Sequence, residues 1–154
     1  MNLLIIFAVK YLFLASIILI GWFFFTLSNP IKKKFAGFAL TSLGLSFVLA
    51  KLLGALFNDP RPFVSDHVQP LIAHVADNGF PSDHTLLTMA IASIVFVYHR
   101  KLGILLAISA FIVGYARVLA GLHHMIDIIG AIVIAIAAVA GVFFGIRRLK
   151  LDQF

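Results

Sequence analysis

Three polar clusters interrupt an otherwise apolar chain of 154 residues. The first is Asn58-Asp59-Pro60-Arg61-Pro62-Phe63, with Lys51 upstream of it. The second is Phe80-Pro81-Ser82-Asp83-His84-Thr85. In the third, Arg117 is followed after five residues by His123-His124-Met125-Ile126-Asp127. Their chemistries complement one another. Arg61 and Arg117 carry planar forks of N–H donors suited to phosphate oxygens. Pro81-Ser82-Asp83 ahead of an apolar run is a helix-start signal, with Ser82 or Asp83 as N-cap, and a helix N-terminus favours an anion. His123 and Asp127 are four apart, so on a helix they share a face and can hydrogen-bond. A carboxylate behind an imidazole fixes its tautomer and stabilises the cation formed when it reacts. His84 offers a second imidazole, free to act as an acid. Cations, an oriented nucleophile and a proton donor are what phosphoryl transfer through a covalent histidine requires.

Composition limits what can position these groups. Apolar residues make up 62% of the chain and charged residues 12%, against about 45–50% and about 25% in soluble domains. A water-soluble core of this length has no interior large enough for so many Leu, Ile, Phe and Ala side chains. The expected fold class is therefore all-α, a polytopic helical bundle in a membrane, with residues 1–154 as one domain. Cysteine is absent, which excludes a disulfide scaffold. Twelve Lys+Arg against six acidic residues leave a net charge of +6. The cations are too sparse among apolar runs for nucleic acid, so no nucleic-acid partner is expected.

A helix needs about 20 apolar residues to cross the hydrocarbon. Five spans are expected, at about Tyr11–Leu27, Phe35–Phe57, Thr85–Tyr98, Leu102–Leu119 and Ile128–Ile146. The third is short and must borrow residues at both ends. Met1–Val9 is apolar but cut off by Lys10, and reads as a leading extension of the first helix or an interfacial piece. The basic residue follows that stretch rather than preceding it, unlike a cleaved signal peptide. With five crossings, Lys32–Lys34, Arg100-Lys101 and Arg147-Arg148-Lys150 fall on one face, which positive-inside bias makes cytoplasmic. The long Asn58–Asp83 segment and the Ala120–Asp127 turn fall on the other. All three polar clusters can then converge on one site.

The clusters resemble the three signature motifs of the type-2 phosphatidic acid phosphatase superfamily: K-x6-R-P, then P-S-G-H, then S-R-x5-H-x3-D. This chain has Arg61-Pro62, then Pro81-Ser82-Asp83-His84, then Arg117, His123 and Asp127 at the same spacings. It departs from the pattern at three places. Lys51 stands ten residues before Arg61, so the family's lysine position is Gly54; Ala116 replaces a serine; Asp83 replaces a glycine. The P-S-D-H-T form is similar to the bacterial undecaprenyl-diphosphate phosphatase branch linked to bacitracin resistance. That resemblance implies a membrane phosphatase needing no metal and no cofactor. His123 would attack phosphorus, Asp127 would orient it, and His84 would protonate the leaving lipid phosphate. Arg61, Arg117 and Ser82 would hold phosphoryl oxygens, with Asp83 and Lys51 as further substrate-binding candidates. The substrate would be a polyprenyl or phospholipid phosphate, undecaprenyl diphosphate first. Phosphatidylglycerophosphate, phosphatidic acid or a phosphotransfer acceptor are the alternatives. The expected location is the bacterial cytoplasmic membrane, multi-pass, with the site on the extracytoplasmic face.

Other readings use the same residues. His84, His123, His124 and Asp127 contain enough ligands for zinc, although two arginines would repel a cation. Intramembrane charge also marks transporters, yet here it gathers at span ends rather than mid-membrane, and no repeat is visible. His67, His74 and Asp77 read as solvated loop surface, and His124 as a structural or rim residue.

Overall fold

A computed structural model describes residues 2–149; Lys150 of the last basic cluster lies outside them. Among the described residues the long elements are five helices: α1 (Asn2–Thr26), α2 (Asn29–Leu56), α3 (Asp83–Tyr98), α4 (Arg100–Leu119) and α5 (Met125–Arg148). Four of them are long and apolar enough to cross a membrane; α3, apolar but shorter, is the exception.

Helix α1 is unbroken from Asn2, so the apolar N-terminal stretch is a leading extension of the first span. A π turn at Ala8–Leu12 brackets Lys10. The helix stops where Leu27 and Ser28 turn extended ahead of Pro30, which occupies the first turn of α2. Lys32–Lys34 therefore lie within α2 rather than in a loop, because that helix starts as soon as proline permits. Lys32 reaches back so that its Nζ lies 5.9 Å from the Phe24 ring centroid.

At 16 residues, α3 is about 24 Å long, less than the ~30 Å hydrocarbon core. It can be short because it touches all four other long helices. Leu86, Ala90, Ile91, Ile94 and Val95 are almost wholly buried there. A helix apolar all round belongs in the middle of a bundle. Its mid-helix hydroxyls are satisfied locally: Thr88 Oγ1 donates to His84 O and Ser93 Oγ to Met89 O.

The two ends of the bundle differ in chemistry. At one, Phe35 packs edge-on against Phe23 (5.7 Å) and Tyr98 (5.1 Å), bringing the α1–α2 and α3–α4 turns together. His99 caps α4 by accepting from Leu102 N. This end carries Lys32–Lys34, Arg100, Lys101, Arg147 and Arg148, as the charge pattern predicts. At the other end the 57–82 segment folds over the helix tips. Asn78 is its latch: Nδ2 donates to Gly54 O (2.7 Å) and Phe57 O (2.9 Å), while Oδ1 accepts from Asp59 N and Phe80 N. The Phe80 ring lies so close to Gly130 that a side chain there would overlap it. Gly121, at φ +70°, supplies the left-handed turn between α4 and α5.

Candidate active site

The second end gathers all three polar clusters around one cavity of about 360 Å³, walled by Lys51, Arg61, Asp83, His84, Arg117 and His123, with His74 and Asp77 at its loop side. Backbone geometry explains each position. Arg61 sits just before a single helical turn, Pro62–Ser65, whose proline fixes its direction. His84 is in the first turn of α3 and Arg117 in the last turn of α4. His123 ends the tight α4–α5 turn, held where Leu122 N donates to Arg117 O.

His123 is 3% exposed, and both ring nitrogens are engaged. Nδ1 lies 3.1 Å from Asp127 Oδ2, and Nε2 lies 3.1 Å from Arg61 Nη1. A carboxylate can only accept, so Nδ1 carries the hydrogen and Nε2 turns its lone pair toward the guanidinium and the cavity. The two residues are not on one helix face, contrary to the spacing argument. His123 precedes α5, and Asp127, third residue of that helix, reaches back to the turn. The same Oδ2 accepts from His124 N at 2.9 Å, so one carboxylate caps the helix and orients the imidazole. Burial pushes the His123 pKa below 6.5; Arg117 and Arg61 push the same way, and Asp127 opposes them. That direction favours the neutral imidazole, the form able to act as a nucleophile.

The two arginines are held differently. Arg61 Nε donates to Asp77 Oδ1 at 2.6 Å and Nη1 to Leu122 O at 3.0 Å. The guanidinium in turn holds the Asp77 carboxyl below its usual range. Arg117 is 3% exposed, and its Nε meets no partner among the described residues. A buried donor left without an acceptor is costly, and at a cavity wall it is a donor kept for an anion. His84 presents its ring to the cavity with Phe13 of α1 edge-on at 4.5 Å.

Of the expected substrate-binding residues Ser82 needs correction, while Lys51 and Asp83 line the cavity. Ser82 is wholly buried and does not wall the cavity. Its Oγ accepts from Thr85 Oγ1 (3.1 Å) and its N–H donates to Asp127 O (3.3 Å). Ser82 thus starts α3 and ties it to α5 rather than offering a hydroxyl to phosphate. Lys51 stands at the rim, its Nζ 5.2 Å from the Phe47 ring centroid. Gly54, at the motif's lysine position, has no room for a side chain: a Cβ would sit 2.9 Å from Phe80 O. Asp83 is exposed at the first residue of α3, where its charge suits the helix dipole.

Other residues carry weight that spacing did not reveal. Asp77 is exposed, as expected of loop surface, and is also Arg61's ion-pair partner. His124 Nδ1 meets Asp59 (2.9 Å) and Nε2 meets Asp66 (3.2 Å). Burial lowers the His124 pKa, but these two carboxylates outweigh it and the net shift is upward, so the pairing favours the protonated form and ties the 57–82 segment to the α4–α5 turn. Asp59 is raised by burial, with His124 lowering and Asp127 raising it. Asp59, His124 and Asp127 each place one ligand atom within 4.8 Å of the others. That is the one potential metal cluster among the described residues. None of the three lines the cavity, and their donors already serve one another. The available signal was composition: of six acidic residues, five stand between Asp59 and Asp127 and none lies mid-span.

Comparison with known proteins now bears on this geometry. The PAP2 superfamily model matches residues 35–150, a stretch holding every wall residue named above. The chain belongs to the PAP2 superfamily. It is 32% identical over 139 residues to the bacitracin transport permease protein BcrC of Bacillus licheniformis, covering 90% of this chain and 67% of that protein. It is 35% identical over 122 residues to the undecaprenyl-diphosphatase BcrC of Bacillus subtilis, covering 79% of this chain but 62% of that protein. The chain therefore spans about three-fifths of the latter's length. The crystal structure of Aquifex aeolicus LpxE matches with TM-score 0.73 at 26% identity, covering 92% of this chain and 86% of that one. PAP2 membership and the helical bundle agree with the fold class and phosphatase chemistry that the motifs imply.

Proposed function

We propose that this PAP2 phosphatase hydrolyses undecaprenyl diphosphate to the monophosphate and inorganic phosphate. Arg61, Arg117 and the first-turn N–H groups of α3 bind the terminal phosphoryl oxygens. His123 Nε2 attacks phosphorus, forming a P–N bond as the bridging P–O bond breaks. His84 gives its proton to the departing lipid phosphate. Water then attacks the phosphohistidine, His84 takes a proton back, and cleavage of the P–N bond frees phosphate and His123. Asp127 stabilises the positive imidazole between these steps. One arrangement carries the reading: a neutral His123 with its lone pair on the cavity, backed by Asp127 and flanked by two guanidinium groups.

The diphosphate substrate is favoured by the name of the Bacillus subtilis relative and by the Pro81-Ser82-Asp83-His84-Thr85 motif. The permease name of the other relative keeps transport as a second reading. Against it, a nucleophile, an acid and two cations meet at one end of the bundle rather than mid-membrane. The site also lies opposite the basic end, which supports an extracytoplasmic active site in the cytoplasmic membrane.

The deciding assay is phosphate release by the purified full chain from a panel of lipid mono- and diphosphates, in detergent with EDTA. Undecaprenyl diphosphate should be the best substrate and His123→Ala inactive. Preference for phosphatidate or phosphatidylglycerophosphate overturns the substrate. Loss of activity in EDTA, restored by Zn²⁺, overturns the metal-free mechanism. Labelling of Asp77→Cys only from the cytoplasm would invert the topology.

A further inference from the structure

A second cavity, of about 890 Å³, lies at the basic end, far from the catalytic residues. Its floor is α3. Ile104 and Phe111 of α4 form one wall, Ile136 and Phe143 of α5 the other, and Arg100 and Arg147 stand at its mouth. The groove exists because α4 and α5 converge only at the catalytic end. There a side chain on Gly114 would overlap Ile128 and press on Thr85. Toward the basic end the space between the two helices leaves Phe96 and Val97, in the last turn of α3, exposed.

Three features identify an occupant. The groove runs from Arg100 to Phe111 on α4 and from Ile136 to Arg147 on α5, about 16 Å on each. That is half the ~30 Å hydrocarbon thickness, the depth of one leaflet; a partner helix would need the full length. Both cations stand at the headgroup end. Arg100 is the first residue of α4, where the helix dipole adds positive potential. Arg147 is held at the lip with its guanidinium 5.1 Å from the Phe143 ring centroid. Finally, among the described residues the charged groups lining the groove are Arg100 and Arg147, both positive, which matches an anionic headgroup.

We propose that this groove binds an anionic phospholipid of the phosphatidylglycerol class from the leaflet at the basic end, its phosphate between Arg100 and Arg147 and its acyl chains against α3. Basic pockets between helices at this level suit anionic headgroups. The site is independent of the catalytic reading and of the enzyme's substrate.

The test needs no activity measurement. Trp22→Phe removes the only tryptophan, and Phe111→Trp places a reporter at the groove's deep end. The full chain is reconstituted in phosphatidylcholine vesicles containing a fixed fraction of phosphatidylglycerol, with bromines on the acyl chains of one lipid or the other. Brominated phosphatidylglycerol should quench the reporter well beyond its mole fraction, a relative affinity of about tenfold. Arg100→Gln with Arg147→Gln should bring that ratio to unity. So should Ala140→Phe, which fills the groove and spares both cations. The charge-matched pair Lys101→Gln with Arg148→Gln, outside the lining, should leave it intact. Equal quenching by both lipids overturns the proposal, as does equal loss in the charge-matched pair, which would mean a diffuse basic surface. A reporter shielded from both lipids, with cross-links between copies, would assign the groove to a second chain.

Discussion

Asp127→Asn separates the carboxylate charge from binding. The carboxylate is fully buried, and its Oδ2 serves both His123 Nδ1 at 3.1 Å and His124 N at 2.9 Å. Asparagine has the same shape. Its carbonyl oxygen can keep the backbone bond, so the cost to folding is about 1 kcal/mol or less. That same oxygen still accepts from Nδ1, so the tautomer is kept and what the variant removes is the negative charge behind the ring. Attack makes the ring positive. A unit charge 3.1 Å away at an effective dielectric of about 20 is worth about 5 kcal/mol, or nearly four decades in rate. Because the amide dipole retains some of this, we expect kcat to fall about 10³-fold. KM should change less than about threefold, since Arg61 and Arg117 remain. Steady-state phosphate release gives the kcat–KM split; a quenched single turnover with labelled substrate should show phosphohistidine forming slowly rather than decaying slowly. A loss under about tenfold in a variant with unchanged thermal stability, or a loss confined to KM, would refute the role of the carboxylate charge.

Further outcomes follow from the same geometry. Lys51→Gln should lower kcat/KM by less than about fivefold, because Nζ lies at the rim over Phe47, whereas Gly54→Lys, which restores the motif's lysine, should lose activity and thermal stability because its Cβ meets Phe80 O. Gly79→Ala would place a methyl 2.9 Å from Asp127 Oδ2 and 3.1 Å from Asp59 O; we expect kcat to drop about tenfold or more while substrate binding, followed by KM, holds. The proposed mechanism requires neutral His123, whose pKa is depressed below 6.5. The acid limb that His123 sets should therefore be complete by pH 7 and appear only below about 6.5. Loss of the His84 proton sets the opposing alkaline limb, which His84→Gln should abolish. In Asp127→Asn the acid limb should move lower still, because the residue that raises the pKa is gone. A wild-type acid limb centred above 6.5 would contradict the burial argument.

Much of this site is legible in the sequence, for a physical reason. Covalent chemistry needs particular functional groups, and helix ends at a membrane boundary are few, so Arg61, His84, Arg117, His123 and Asp127 had little choice of meeting place. Span positions are legible because a hydrocarbon solvent demands long apolar runs; only α3 is anomalous, and its shortness follows from being enclosed by protein. Geometry within the turns was less accessible. His123 and Asp127 bond across a helix start rather than along a face, and i,i+4 spacing fits both. Ser82 has a suitable hydroxyl, but packing of α3 against α5 turns it inward. The pairings of Asp77 with Arg61 and of His124 with Asp59 and Asp66 join residues 16, 65 and 58 apart. Loop closure at such separations obeys no periodicity.

The contact between Asp77 and Arg61 gives the site an internal competitor. A phosphoryl group that takes the Nε hydrogen bond would displace this carboxylate, so part of the attraction would be spent on exchange rather than capture. On the proposed mechanism the same carboxylate would reclaim the guanidinium once the P–N bond has broken, which would favour the departure of free phosphate.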